Sequence, residues 1–130
     1  MKLLVIILNK TEALEYLLEG MSAAGIGGAT ILPSAGMAMT LSKMNSSFIS
    51  SSIRGMFSGD EDDNKTIISV IDDDQLDIAR RVVYNTVGDL SHANTGIMFT
   101  VPLDYVEGRR KRRFEPRTAE QGNDKDETSS

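Results

Sequence analysis

Leu3 to Leu8 is an unbroken apolar run, whereas Leu14, Leu17, Leu18, Met21 and Ala24 recur at helical spacing. A continuous run with β-branched Val5, Ile6 and Ile7 predicts a strand buried on both faces. The spaced residues make one stripe, which predicts a helix capped at Thr11, with Glu12 and Glu15 favourably placed in its first turn. Gly25 is the expected residue just past its end. A second short β run, Ala29–Ser34, is weakened at its far end by Pro33. Thr66–Ile71 predicts a third strand. Leu76, Ala79, Val83 and Val87 form the stripe of a second helix, started by Asp72, Asp73 and Asp74 and stopped by Gly88. Ile97–Val101 predicts a fourth strand, bounded by Pro102.

Between the second and third strands, from Met37 to Asn64, no period is sustained. So long a stretch inside a small domain points to a functional loop, and a short local helix is equally compatible with it. Its apolar residues Phe48, Ile49, Ile53, Met56 and Phe57 exceed what a linker needs, so the segment is expected to order against a partner. The order β-α-β-loop-β-α-β fits an α+β, ferredoxin-like βαββαβ sandwich, with one antiparallel sheet carrying both helices on a single face. The first strand shows no polar alternation. Its second face is therefore expected to be buried against other copies of the chain.

With 130 residues, no cysteine and a 40% apolar share, the chain reads as one globular domain without disulfides or thiolate metal sites. The six-residue apolar run near the N-terminus is too short for a bilayer span, and a cytoplasmic protein is expected. The net charge of −5 is unevenly spread. Up to Gly108 there are seven Lys or Arg against fourteen Asp or Glu, and beyond it seven against five, with Arg109 to Arg113 all basic. The acidic body argues against nucleic-acid binding. Residues from Phe114 on are polar and aperiodic, predicting a disordered tail.

No catalytic constellation, Walker A loop or G-x-G-x-x-G is present. The three aspartates are explained by capping, and no metal is expected. His92 stands alone as the one histidine. The glycines of Gly25–Thr40 serve equally well as turns and strand ends or as walls of a ligand site. Three segments are suited to anions: Gly36 after the second strand, Asn94-Thr95-Gly96 before the fourth, and the arginine run after it. Loop amides form anion-binding nests, and arginine forks add bidentate contacts.

On these residues the chain resembles the PII signal-transduction superfamily from Lys2 to about Arg110. The GIGGAT step resembles that family's G-I-x-G-M-T at Gly25, Ile26, Gly28 and Thr30, and HANTGIMF stands where the family has G-D-G-K-I-F, matching at Gly96 and Phe99. The resemblance implies a domain over residues 1–113 with a T-loop-like segment at 37–65, followed by the tail at 114–130. It implies a homotrimer binding an adenine nucleotide (ATP, ADP or AMP, with cyclic AMP also compatible) in clefts between subunits. One wall would come from Ile7, Gly36, Met37, Ala38, Asn94, Thr95, Gly96 and Ile97. The neighbouring subunit would supply Gly28, Ala29, Thr30, Arg109 and Arg110, with Val70 beneath the base. Phe48, Ile49, Ile53, Arg54, Met56 and Phe57 would meet a membrane transporter or metabolic enzyme, recruiting the protein to a membrane without insertion.

The departures are specific. Ala38 replaces a family glycine, Met39 an arginine and Ile97 the phosphate-binding lysine, and the long segment holds no tyrosine for uridylylation. These changes imply altered phosphate recognition in a non-enzymatic sensor. Two alternatives compete: a small phosphate-ester or acyl-phosphate hydrolase relying on His92 and Asn94, and a structural oligomeric module.

Overall fold

Leu4, Ile6 and Leu8 alternate with Leu3, Val5 and Ile7 along β1 (Lys2–Leu8), and that alternation sorts the two faces of the sheet. A computed structural model describes residues 1–44 and 63–108. In it β1 is followed by a 3-10 turn (Thr11–Ala13), α1 (Leu14–Ala23), β2 (Thr30–Ser34), α2 (Met37–Met44), β3 (Asn64–Ile71), a second 3-10 turn (Asp73–Gln75), α3 (Leu76–Thr86) and β4 (Gly96–Pro102). The four strands form one antiparallel sheet in the order β2-β3-β1-β4. This is an α+β arrangement compatible with a ferredoxin-like fold.

Leu4, Ile6 and Leu8 join Ile67 and Ile71 on the first face, where Leu17 and Met21 of α1 and Ala79, Val82 and Val83 of α3 close the core. Gly20 lets the two helices approach, since a Cβ there would stand 2.8 Å from Val82 Cγ1. The end of α1 is a Schellman motif: Ile26 N–H bonds to Met21 O at 2.9 Å and Gly25 N–H to Ser22 O at 3.0 Å, with Gly25 at a φ of 87°. Ile26 and Met21 are both buried, supplying the apolar contact that accompanies this cap. Asp72 and Gln75 form a capping box ahead of α3.

One sequence expectation is corrected and one open alternative is resolved. Thr11 is not a helix cap: it opens a 3-10 turn, with its N–H on Asn9 O at 2.9 Å, and α1 starts only at Leu14. Of the readings left open for Met37–Asn64, the short local helix is seen at Met37–Met44, and Asn64 already belongs to β3. Met, Ala and Leu favour helix, and eight residues are too few to reveal a stripe.

The second face of the sheet is apolar as well. The registers Leu3↔Val70, Val5↔Ile68 and Ile7↔Thr66 on one side of β1 continue as Leu3↔Val101, Val5↔Phe99 and Ile7↔Ile97 on the other. Since α1 and α3 both lie on the first face, Ile97 stays 55% and Phe99 43% exposed on the second. Soluble chains rarely leave such a patch bare.

Candidate functional site

Three segments lie at the end of the sheet where Leu8 pairs with both Lys65 and Gly96, the loop into β4 at one edge and the start of α2 at the other, with β1 and β3 between them. The first is the loop leading into β4. Asp89 Oδ1 accepts from the Ser91 N–H at 2.9 Å and from its hydroxyl at 2.8 Å, opening a tight turn. These bonds, the backbone one foremost, hold the Asp89 carboxyl below its ordinary range, with a small further lowering from His92. Asn94 adopts a left-handed φ of 61°, which asparagine tolerates. Buried Thr95 donates its hydroxyl to His92 O at 2.8 Å, while its carbonyl accepts from the Asn9 and Lys10 N–H groups at 3.0 and 3.1 Å. Gly96 then presses on β1, because a Cβ there would meet Ile7 O at 2.5 Å. Only glycine fits.

The second segment is the end of β2 and the start of β3. Ser34 donates its hydroxyl to Asn64 Oδ1 and lies 2.8 Å from Thr66 Oγ1. Ser34 is paired with Asn64 in the ladder, and Leu32 with Thr66. All three polar residues therefore share the second face with Ile7, which is opposite Thr66. Asn64 is buried to 8% exposure.

The third is the start of α2. Gly36 O accepts the first helical bond, from Thr40 N–H at 3.0 Å, and also the Thr40 hydroxyl at 2.9 Å. Gly36 occupies the capping position and has no side-chain oxygen to offer the leading N–H groups of the helix. Its absent Cβ would stand 3.6 Å from Asn64 Nδ2. At the far end of α2, Lys43 Nζ is 3.6 Å from Asp63 Oδ1, tying the helix to the root of β3.

Ile7, Gly36, Met37, Ala38, Asn94, Thr95, Gly96 and Ile97 of the sequence-derived set thus gather at or near one end of the sheet. Gly28, Ala29, Thr30 and Val70 do not join them. Val70 pairs with Leu3, four residues and roughly 13 Å along β1 from Ile7. The Ser69 hydroxyl fixes Gly28 by donating to its carbonyl, and Thr30 pairs with Ile68. The chain leaves β4 at this second end, where Leu103 N–H bonds to Met1 O at 3.1 Å, and runs toward the arginines. Arg109 and Arg110 lie outside the described residues, as do Phe48, Ile49, Ile53, Arg54, Met56 and Phe57.

Ser34, Asn64 and Thr66 were not singled out from the sequence. Their signal was faint: polar residues two apart at the start of a strand, thirty residues beyond the serine they meet. The first end offers backbone amides, a carboxamide and hydroxyls, groups that bind by hydrogen bonds. Among the described residues, no cluster of three or more His, Asp or Glu is placed to hold a metal ion. A separate groove of about 550 Å³ lies between α3 and β4, bordered by Asp77, Arg80, Tyr84, Leu90 and Met98. It is on the helix side of the sheet, and Arg80 there is already 3.9 Å from Asp77. Among the described residues no helix is long and apolar enough to cross a membrane.

No protein-family model matches the chain, and no curated protein matches it.

Proposed function

We propose that the chain is a PII-like signalling protein: a cytoplasmic homotrimer that binds an adenine nucleotide between subunits. It acts without catalysis, regulating a membrane transporter or metabolic enzyme through the segment that follows α2. One observation carries this reading. The residues aligned with a nucleotide cleft separate into two groups at opposite ends of a sheet whose second face leaves Leu32, Ile97, Phe99 and Val101 partly exposed. A single chain holds two half-sites. A neighbouring copy stacked on the second face would bring the Gly28–Thr30 end of one subunit toward the Ile7 and Gly36 end of the next.

Covering the remaining exposed area of Phe99, Ile97, Val101 and Leu32 in that contact would supply on the order of 1 kcal/mol for each. The bent main chain at Gly36 and Asn94–Gly96 supports binding through amides, and Ile97 in place of a lysine removes one cationic contact. The arginines after Gly108 supply charge in its stead.

Calorimetric titration of the full chain with ATP, ADP, AMP and cyclic AMP tests this. Saturable heat is expected with at least one of them. Replacing Arg109 and Arg110 together by Ala should weaken it by roughly 1.5–3 kcal/mol for each charged hydrogen bond lost. Absence of heat with all four nucleotides rejects the proposal.

A further inference from the structure

We infer that the outer edge of β4 is a docking surface for this chain's own residues Arg113 to Arg117, which return along it as a fifth strand and cover the groove beside α3. The edge is the first observation. β4 ends the sheet, and among the described residues no strand pairs with its outer side. Two bonds fix the phase of its ladder with β1: Leu103 N–H to Met1 O at 3.1 Å and Asn9 N–H to Thr95 O at 3.0 Å. Both join directly opposite residues. In that phase Ile97, Phe99 and Val101 bond to β1, and the N–H and C=O groups of Met98 and Thr100 face outward. The opposite edge, β2, is blunted by Pro33, whereas β4 carries neither charge nor proline from Gly96 to Val101. An edge of that kind invites another strand.

The second observation is the course of the groove. It follows α3 from Asp77 to Asp89, with half-buried Leu90 and Met98 among its apolar lining. α3 starts at the end of the sheet where Lys2 pairs with both Ile71 and Pro102. It finishes at the other end, where Lys10 Nζ bonds to Val87 O. The chain therefore leaves β4 beside the Asp77 end of the groove. A segment turning back from there runs antiparallel to β4, with the groove beneath one of its faces.

The third observation is the sequence that follows. Within an otherwise aperiodic tail, Arg113-Phe114-Glu115-Pro116-Arg117 alternates charged with apolar residues, as a strand with two unlike faces does. Residues bonded to Met98 and Thr100 share their face, the one above the groove. Arg113, Glu115 and Arg117 on that face meet Asp77, Arg81 and Asp89 in order of opposite sign. Arg81 forms no ion pair with another described residue. Phe114 then lies on the second face beside Phe99, an aromatic pair across the ladder. Pro116 has its missing N–H on the outer side, where no bond is lost. The opposite phase would turn Pro116 toward β4 and the charges onto the apolar face. The strand forms whether or not a nucleotide binds, and Arg109 and Arg110 stay in the connection before it.

Amide hydrogen exchange of the isotope-labelled full chain tests this in wild type, Glu115→Pro and Pro116→Ala. In wild type the Met98 and Thr100 N–H groups should exchange slowly, within about tenfold of the Phe99 N–H inside the ladder. Glu115→Pro removes an N–H that faces β4 and should speed exchange at Met98 and Thr100 at least tenfold, leaving Phe99 and Val101 unchanged. Pro116→Ala, on the outward side, should change none of the four. A nuclear Overhauser contact between Phe114 and Phe99 of the same chain is expected.

Met98 and Thr100 exchanging as freely in wild type as in Glu115→Pro overturns the inference. Slow exchange that Glu115→Pro leaves intact also overturns it, because another copy or another protein then covers the edge. A Phe114 to Phe99 contact found only between labelled and unlabelled chains overturns the return within one chain. None of these results bears on nucleotide binding, which calorimetry decides separately.

Discussion

Gly20 of α1 faces Val82 of α3 so closely that a Cβ on Gly20 would lie 2.8 Å from Val82 Cγ1 and 3.4 Å from Thr86 Cγ2. A glycine inside a helix ordinarily costs up to about 1 kcal/mol relative to alanine. Here it sets how near the two helices sit, and hence how both cover Leu4, Ile6 and Leu8. Gly20→Ala should lower stability by about 1–2 kcal/mol despite the better propensity, because overpacking costs about 1–3 kcal/mol. Val82→Ala in the same chain should recover part of the loss. Urea denaturation of the two single variants and the double variant measures the coupling.

Gly96 is the corresponding pivot on the sheet. A side chain there would meet Ile7 O at 2.5 Å and Leu8 Cα at 3.3 Å, and its φ of 151° is one that L side chains rarely adopt. Gly96→Ala should destabilise the fold by about 2–3 kcal/mol, since backbone cannot move aside as a side-chain tip can. The shift in urea midpoint reports it. A change below about 0.5 kcal/mol, the range of an ordinary surface substitution, would mean that β4 does not approach β1 so closely.

Asp89 gives a pH-dependent signature. Its carboxyl is lowered chiefly by the Ser91 N–H and then by the Ser91 hydroxyl. A depressed folded-state value means that its contribution to stability is present above the unfolded carboxylate value and is lost as pH falls through the folded one. Carbon-detected titration should find Asp89 below the ordinary carboxylate range. Ser91→Ala removes the hydroxyl bond and should raise the value part of the way, leaving the backbone contribution. No rise would assign the whole effect to the amide.

The elements legible in the sequence were those set by period and punctuation. β1, α1 and α3 announced themselves through apolar spacing, and Gly25 and Gly88 sit where the helices end, at φ values of 87° and 109°. Edge placement of β2 agrees with Pro33, which has no N–H for a second ladder. α2 could be read only as one of two alternatives, because eight residues with one buried side chain, Ser42, leave no stripe to place it. The Ser34, Asn64 and Thr66 cluster escaped because it depends on register, and register between strands thirty residues apart is fixed by the folded sheet rather than by local pattern. The division of the site-bearing residues between two ends is likewise a property of the sheet.

Phe99 offers a way to separate folding from assembly. It stands opposite Val5 on the second face and is 43% exposed in one chain. Phe99→Asp should cost the isolated fold under about 1 kcal/mol, as at other half-exposed positions, yet place a carboxylate inside an apolar contact between copies. Circular dichroism should be unchanged while the sedimenting mass falls to that of one chain and nucleotide heats vanish together with it. An unchanged mass would put the interface elsewhere.

Sedimentation equilibrium of the unmodified chain at micromolar concentration, in the presence of ADP, bears most directly on the shared cleft. A particle of about three times the 14.2 kDa chain mass is expected. A single-chain mass across the whole concentration range would leave each half-site without its counterpart and contradict the proposed function.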